Sequence, residues 1–244
     1  MIKVLCSSAE IEKAGKYLNE HKLVKHYDRL KNWDLSLLHE VIAPLPRDIR
    51  VVDLGCAGLA ALNFFYALGF KDIHGVDLTV TRQERWKQAV IMLKSLSLKP
   101  PFHFSRGDLT ETVFPDQFFE VATSISVIEH GVDLIKFFKE MNRIVKQEGL
   151  LFVTADYWPE KMKTRDDERP CGLSYTIFSK EEICQLIELA GMHGFSLYRN
   201  SDLSALPDPY EKHILGDIYE HTFICLVFKK ALAEKEQVLT SPAG

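Results

Sequence analysis

The feature that most constrains this chain is a series of short apolar runs alternating with longer segments of helical pattern. Ile49 to Leu54, Ile73 to Leu78, Phe102 to Ser105, Phe119 to Ile125 and Leu150 to Ala155 have strand length, and most of them are apolar at adjacent positions. Adjacent apolar positions mean burial on both faces, because successive strand side chains point to opposite sides. Between these runs, segments around 58 to 68, 81 to 97 and 132 to 146 read as helices. The last places apolar residues at Leu134, Phe138, Met141 and Val145, with charged residues between them and Gly149 just beyond. Strands buried on both faces and separated by helices require a mostly parallel sheet covered on each side, a doubly wound α/β fold. Phe195 to Arg199 and His221 to Lys229 read as two later strands, which brings the expected count to seven.

The flanks read differently. Residues 1 to 48 are expected to form an N-terminal helical cover. Ser7 and Glu10 have capping-box spacing, and apolar residues recur through Leu18, Val24, Leu30, Leu37 and Val41. Pro44 and Pro46 end that pattern, so the main domain is expected over 49 to 230. Asp156 to Ser174 has mixed charge and no periodicity and reads as a long loop, of the kind that usually carries function. Ser179-Lys-Glu-Glu182 opens another capped helix to about Ala190, and 231 to 244 reads as a flexible tail.

Composition narrows the classes of function. A chain of 244 residues, 46% hydrophobic, can bury one large core. Its formal net charge of -4 argues against nucleic acid or an anionic membrane as partner, since both need a concentrated basic face. The five cysteines are scattered without a C-x-x-C pair, so neither a metal site nor a disulfide framework is expected. The apolar stretch at Met1 to Ser8 is too short for a signal peptide, and nowhere do 18 apolar residues run together. The expectation is a soluble cytoplasmic protein, with its oligomeric state not written in the sequence.

In a doubly wound sheet, ligands bind beyond the carboxyl ends of the parallel strands. Four successive strand ends here carry informative groups: Asp53-Leu-Gly55-Cys56-Ala57-Gly58-Leu59, then Asp77-Leu78, then Gly107-Asp108-Leu109, then Ser124-Ile125-Ser126-Val127-Ile-Glu-His130. Small residues after the first strand let the backbone approach a ligand, and an acid after the second can accept bonds from both hydroxyls of a ribose. A nicotinamide-binding domain shares some of these marks. Gly55 to Ala60 does not satisfy G-x-G-x-x-G, however, and Asp53 would repel a pyrophosphate.

Taken in order, the four strand ends resemble the class I S-adenosylmethionine-dependent methyltransferases, in particular the small-molecule type with Val-Ile-Glu-His after the fourth strand. The resemblance covers roughly Ile49 to Lys229. It implies a Rossmann-like seven-stranded sheet with an antiparallel final strand, and S-adenosylmethionine as cofactor with S-adenosylhomocysteine as product. It also implies that Asp53, Gly55, Cys56 and Gly58 lie around the methionine portion, that Asp77 and Leu78 hold the ribose, and that Asp108 and Leu109 meet the adenine. Ser124, Ile125 and Ser126 would offer carbonyls to the cofactor amino group. The family pattern Asp-x-Gly-x-Gly-x-Gly is only partly kept. Ala57 and Leu59 stand at two glycine positions with Gly58 displaced by one, and Leu59 crowds the ligand unless it points into the sheet.

On the acceptor side, His130 is the candidate general base; the alternative is a histidine at a helix start, bonded to backbone. Tyr157 and Trp158 are candidates to wall the acceptor pocket or to anchor the loop, and Arg165 and Arg169 to meet an anionic acceptor or to stay solvated. Tyr17, Tyr27 and Trp33 are candidates to close over the cofactor. The expected reaction is O-methylation of a hydroxyl or carboxylate on a small biosynthetic intermediate or modified peptide. The alternatives are a cofactor-binding adaptor without turnover and a nicotinamide-dependent oxidoreductase.

Overall fold

The structure is a computed structural model, and it describes residues 1–81, 102–164, 172–199, 209, 213–215 and 219–232. The sheet is built around five parallel strands: β2 (Arg50–Leu54), β3 (Asp72–Asp77), β4 (His103–Arg106), β5 (Phe119–Ile125) and β6 (Val145–Tyr157). In space they run β4-β3-β2-β5-β6. The chain therefore winds outward from β2 in one direction, then returns to the other edge of β2 to build β5 and β6. β9 (Tyr219–Lys230) lies antiparallel to β6 from Leu150↔Lys229 to Tyr157↔Thr222, as expected for a final strand.

Among the described residues two strands, β1 (Ile2–Val4) and β8 (His213–Leu215), lie outside the expected seven, whereas the strand expected at Phe195 to Arg199 is present as β7 (Phe195–Leu197). β1 and β7 share the outer edge of β9, β1 opposite 224–226 and β7 opposite 228–230. β8 pairs with the first residues of β9. The segment 1–48 is thus not only helical. A three-residue strand has no readable period, and the partner that stabilises β1 lies at the other end of the chain.

Among the described residues five α-helices cover the sheet: α1 (Ser8–Glu20), α2 (Asn32–Ile42), α3 (Ala60–Ala67), α4 (Leu134–Ile144) and α5 (Lys180–Met192). The helix expected over 81 to 97 falls almost wholly outside the described residues. Val51, Phe64, Phe65, Ile73, Val121 and Phe152 pack on one side of the sheet with Leu18, Leu38 and Ile42 of α1 and α2. Val52, Leu54 and Val153 face the other side, against Phe137, Phe138 and Met141 of α4 and Leu186 of α5. Fully burying one such side chain contributes about 1.5–3 kcal/mol, so this two-sided core holds the strand ends in place.

The chain turns from α4 into β6 without a loop, so the helix stops at Ile144 and the strand starts at Val145, not near 150. The reason is a bulge. Phe119 pairs with Val145 but Val121 with Leu150, and Glu148 takes a positive φ of 64°. A Cβ on Gly149 would lie 2.8 Å from the Lys146 carbonyl oxygen, so this glycine belongs to the bulge and not to a helix end. The capping box at Ser179 is present in both directions, Glu182 N to Ser179 Oγ at 3.3 Å and Ser179 N to Glu182 Oε2 at 2.8 Å. The one expected at Ser7 does not form: the serine side chain caps nothing, and Glu10 Oε1 accepts instead from Cys6 N at 2.9 Å.

Ser179→Ala is expected to lower stability by about 1 kcal/mol through loss of the cap. Urea unfolding should show a lower midpoint at unchanged slope, and an unchanged midpoint would rule out a stabilising cap.

Candidate active site

The site forms where the winding direction reverses, between the ends of β2 and β5. Gly55 follows β2 with φ +89°, and its N–H donates to the Val76 carbonyl of β3 at 2.8 Å. A side chain there is excluded, since a Cβ would stand 2.3 Å from Val127 Cγ2. The altered glycine turn is accommodated by Leu59, which adopts a left-handed φ of 63° and sends its side chain into the core, 2% exposed. Leu59 therefore leaves the ligand face clear. Gly58 is also left-handed, with open space around its Cα.

Two acids fix the turn. Asp77, at the end of β3, accepts from Ala57 N at 3.1 Å through Oδ2, and from Thr79 N and Oγ1, both at 2.6 Å, through Oδ1. Asp53 lies beside β5, where Thr123 Oγ1 donates to its Oδ1 at 2.6 Å. Burial raises the Asp53 pKa to about 7 against the Thr123 bond, and the Asp77 charge pushes the same way. After β4, Asp108 Oδ1 accepts from Thr110 N and Oγ1, both at 2.8 Å.

Two cavities meet over this turn and share Gly55, Ala57 and Ser126. One, of about 360 Å³, is lined by Gly55, Asp77, Leu78, Asp108, Leu109, Ser126, Val127 and His130 among others. The second, of about 320 Å³, is lined by Tyr27, Lys31, Asp53, Gly55, Ile125 and Ser126 among others. Most of the residues expected around the cofactor are thus brought together. Cys56 is buried, with its Sγ 2.8 Å from where a Gly75 Cβ would stand, and Ser124 is wholly buried with no partner for its Oγ among the described residues.

His130 does not start a helix, since α4 begins at Leu134. Its backbone N–H bonds Val127 O at 3.0 Å, while its ring stacks on Tyr175 with centroids 5.6 Å apart. Tyr157 is wholly buried in the core and Trp158 is half-buried; neither lines the two cavities. Trp33 is also core, whereas Tyr27 is 94% exposed at the mouth of the second cavity. Arg165 and Arg169 lie outside the described residues.

The sequence reading missed a set of charged groups beside these cavities. Lys31, just before α2, donates to Ser126 Oγ at 2.5 Å, lies 3.8 Å from Asp34 Oδ2, and sits 4.0 Å from the Phe223 ring centroid. Asp156 accepts from Tyr175 Oη at 2.6 Å and lies 3.3 Å from His221 Nε2. Glu129 is 1% exposed. Their one readable signal was position: Glu129 and Asp156 lie at or just beyond the carboxyl ends of two strands.

The cavities fit S-adenosylmethionine. Gly55 leaves room for backbone approach, Asp77 and Asp108 stand at successive strand ends, and Asp53 adds a carboxylate to the lining of the second cavity. Asp77→Ala is expected to weaken cofactor binding at least about tenfold by calorimetry, in line with the loss of a charged acceptor. Because Asp53 titrates near 7 and the cofactor is cationic, affinity should rise between pH 6 and pH 8. An affinity flat across that range would remove Asp53 from the binding site.

Comparison with known proteins agrees with this geometry. Residues 25–196 match a family described as a methyltransferase domain. The chain is 24% identical over 190 residues to sterol 24-C-methyltransferase erg6 of Aspergillus fumigatus, a match covering 75% of this chain and 48% of that protein. It thus spans about half the length of that curated relative. Among solved structures, the [4+2]-cyclase SpnF has a TM-score of 0.62 at 17% identity, covering 95% of this chain and all of that one. Geranyl diphosphate C-methyltransferase of Streptomyces coelicolor, solved with S-adenosylhomocysteine, has a TM-score of 0.60 at 14% identity, covering 93% and 89%. Both likenesses establish the fold. The family match, over residues 25–196, shows that this chain carries a domain of the S-adenosylmethionine-dependent methyltransferase family.

Proposed function

We propose that the enzyme methylates an oxygen of a small acceptor, a hydroxyl or carboxylate on a biosynthetic intermediate or modified peptide, with His130 as general base for a hydroxyl. The observation that carries this reading is the state of His130. Its ring lines the larger cavity beside Gly55 and Ser126, and its Nδ1 is buried and without a hydrogen-bond partner among the described residues. Burial lowers its pKa, with the Asp156 charge opposing and Lys31 assisting. A neutral imidazole held by ring stacking is suited to take a proton from a hydroxyl. The cofactor supplies an activated methyl carbon, and the protein residues have to align the acceptor, exclude water and move one proton. A carboxylate acceptor requires no base.

A carbon acceptor is the second reading. It is favoured by two relatives whose names are C-methyltransferases. A panel of hydroxyl, carboxylate and alkene acceptors, read by S-adenosylhomocysteine release, separates the readings, and cofactor binding with no release from any acceptor would point to an adaptor.

With a hydroxyl acceptor, His130→Ala should lower kcat by about 10²–10⁴ while leaving cofactor affinity in place. The acid limb of the wild-type rate profile should lie below the ordinary imidazole value of 6.5. A variant with full kcat would remove His130 from the proton transfer.

A further inference from the structure

The second cavity has a neighbour on its outer side. His26, which lines that cavity, also lines a groove of about 400 Å³, so the two spaces adjoin at one half-buried residue. The groove lies between α1 and the chain that leads from α1 into α2. Glu12, Lys16 and Asn19 stand at helical spacing on one face of α1, and Lys25, Arg29 and Asn32 come from the returning chain. That returning chain is set by its own bonds. Asp28 N donates to His26 Nδ1 at 3.0 Å, Leu30 N to Asp28 Oδ1 at 2.9 Å, and His26 N to Asn32 Oδ1 at 2.9 Å.

The groove is basic in a chain whose formal net charge is -4. Lys16, Lys25 and Arg29 line it against a single carboxylate, Glu12. Among the described residues none of the three cations has an ion pair or a side-chain hydrogen bond, and Glu12 pairs with none of them. Like charges gathered around one concavity repel one another until an anion enters.

Neutral donors complete the lining. Asn32 is 5% exposed; His26 N–H occupies its Oδ1, and no acceptor among the described residues takes its amide N–H groups, which are open to the groove. Because His26 Nδ1 accepts from Asp28, the proton of the neutral ring sits on Nε2, a further donor. Burial holds this imidazole below its ordinary range against Asp28. The charge of the groove therefore comes from the two lysines and the arginine. Three cations against one carboxylate leave two positive charges. A phosphate ester carries about -1.5 to -2 at pH 7 and three acceptor oxygens, which matches both the charge and the number of donors. A carboxylate leaves one cation uncompensated, and a neutral group leaves both.

We propose that the groove seats a phosphate group of the acceptor, so that the acceptor class is a phosphorylated small molecule whose reacting end extends past His26 into the second cavity, beside Gly55 and Ser126. This inference rests on the small-acceptor part of the reading above and is independent of whether oxygen or carbon receives the methyl group.

The test is calorimetry at constant ionic strength on the full chain saturated with S-adenosylhomocysteine, with octane-1,8-diol and its monophosphate as probes. The monophosphate is expected to bind at least tenfold tighter than the diol. Combining Lys16→Gln, Lys25→Gln and Arg29→Gln should remove that preference, and an unchanged affinity for S-adenosylhomocysteine shows that the variant is folded with its cofactor site intact. Equal affinity of the wild type for the two probes overturns the proposal, and so does a preference that survives in the folded variant. Amide resonances of the wild type locate the ligand: inorganic phosphate is expected to shift Lys25, His26 and Arg29, and the monophosphate to shift Ile125 and Ser126 as well. Shifts confined to the groove with both ligands overturn the acceptor assignment. Single-stranded RNA or phosphatidylglycerol vesicles that bind more tightly than the monophosphate, and lose that binding in the same variant, overturn it in favour of a macromolecular phosphate. Methyl transfer to the carbon of a phosphorylated alkene supports the groove assignment and overturns the oxygen reading alone.

Discussion

The pairing of β2 with β3 on one edge and β5 on the other is the constraint on which the site depends. It sets Asp53 opposite Gly75 on one side and Thr123 on the other. The end of β2 then has neighbours that were built by chain running in opposite directions across the sheet, the arrangement that opens a crevice beyond the strand ends. Gly55 and Cys56 bond back to Val76, and Asp77 reaches across to Ala57, so the turn is tied to β3 by both backbone and side chain. The cavities exist because that turn is held low against the sheet.

The same arrangement explains why the departures from the glycine pattern are tolerated. Of the two glycines in the turn, Gly55 faces a side chain at a distance that excludes a Cβ, namely Val127, and Gly58 does not. At position 58 there is room, and at position 59 the leucine accepts a left-handed backbone and gains burial in return. The strain of one non-glycine left-handed residue, of order 1–3 kcal/mol, is comparable to what burying a leucine contributes. The requirement at the turn is a path for the backbone, and more than one set of residues provides it.

Much of the fold was legible because it rests on local pattern. Runs such as Phe119 to Ile125 declare themselves, and so does the box at Ser179 to Glu182. The acids Asp53, Asp77 and Asp108 were legible because each lies at or just beyond the end of a strand. What escaped reading depends on partners distant in sequence: Ile2 to Val4 is a strand only because β9 offers an edge, and the helix at 134–144 stops early because of a bulge opposite Phe119. Lys31 and Asp34 escaped for the same reason. Nothing in Lys-Asn-Trp-Asp indicates that Lys31 will meet Ser126, a residue 95 positions further along the chain.

Tyr175 stacks on His130 and donates to Asp156. Two flanking ties hold its neighbours: Thr176 N bonds Glu129 O at 2.9 Å, and Phe178 N bonds Asp156 O at 3.0 Å. The returning end of the loop is therefore fastened to the sheet side, and the outgoing end is tied to it in turn, Thr164 Oγ1 donating to Tyr175 O at 2.7 Å and Lys161 Nζ to Thr176 Oγ1 at 3.1 Å. Ties at both ends make the span between Thr164 and Tyr175, and not the whole stretch after Trp158, the natural place for a lineage of such enzymes to diversify while the chemistry below it stays fixed.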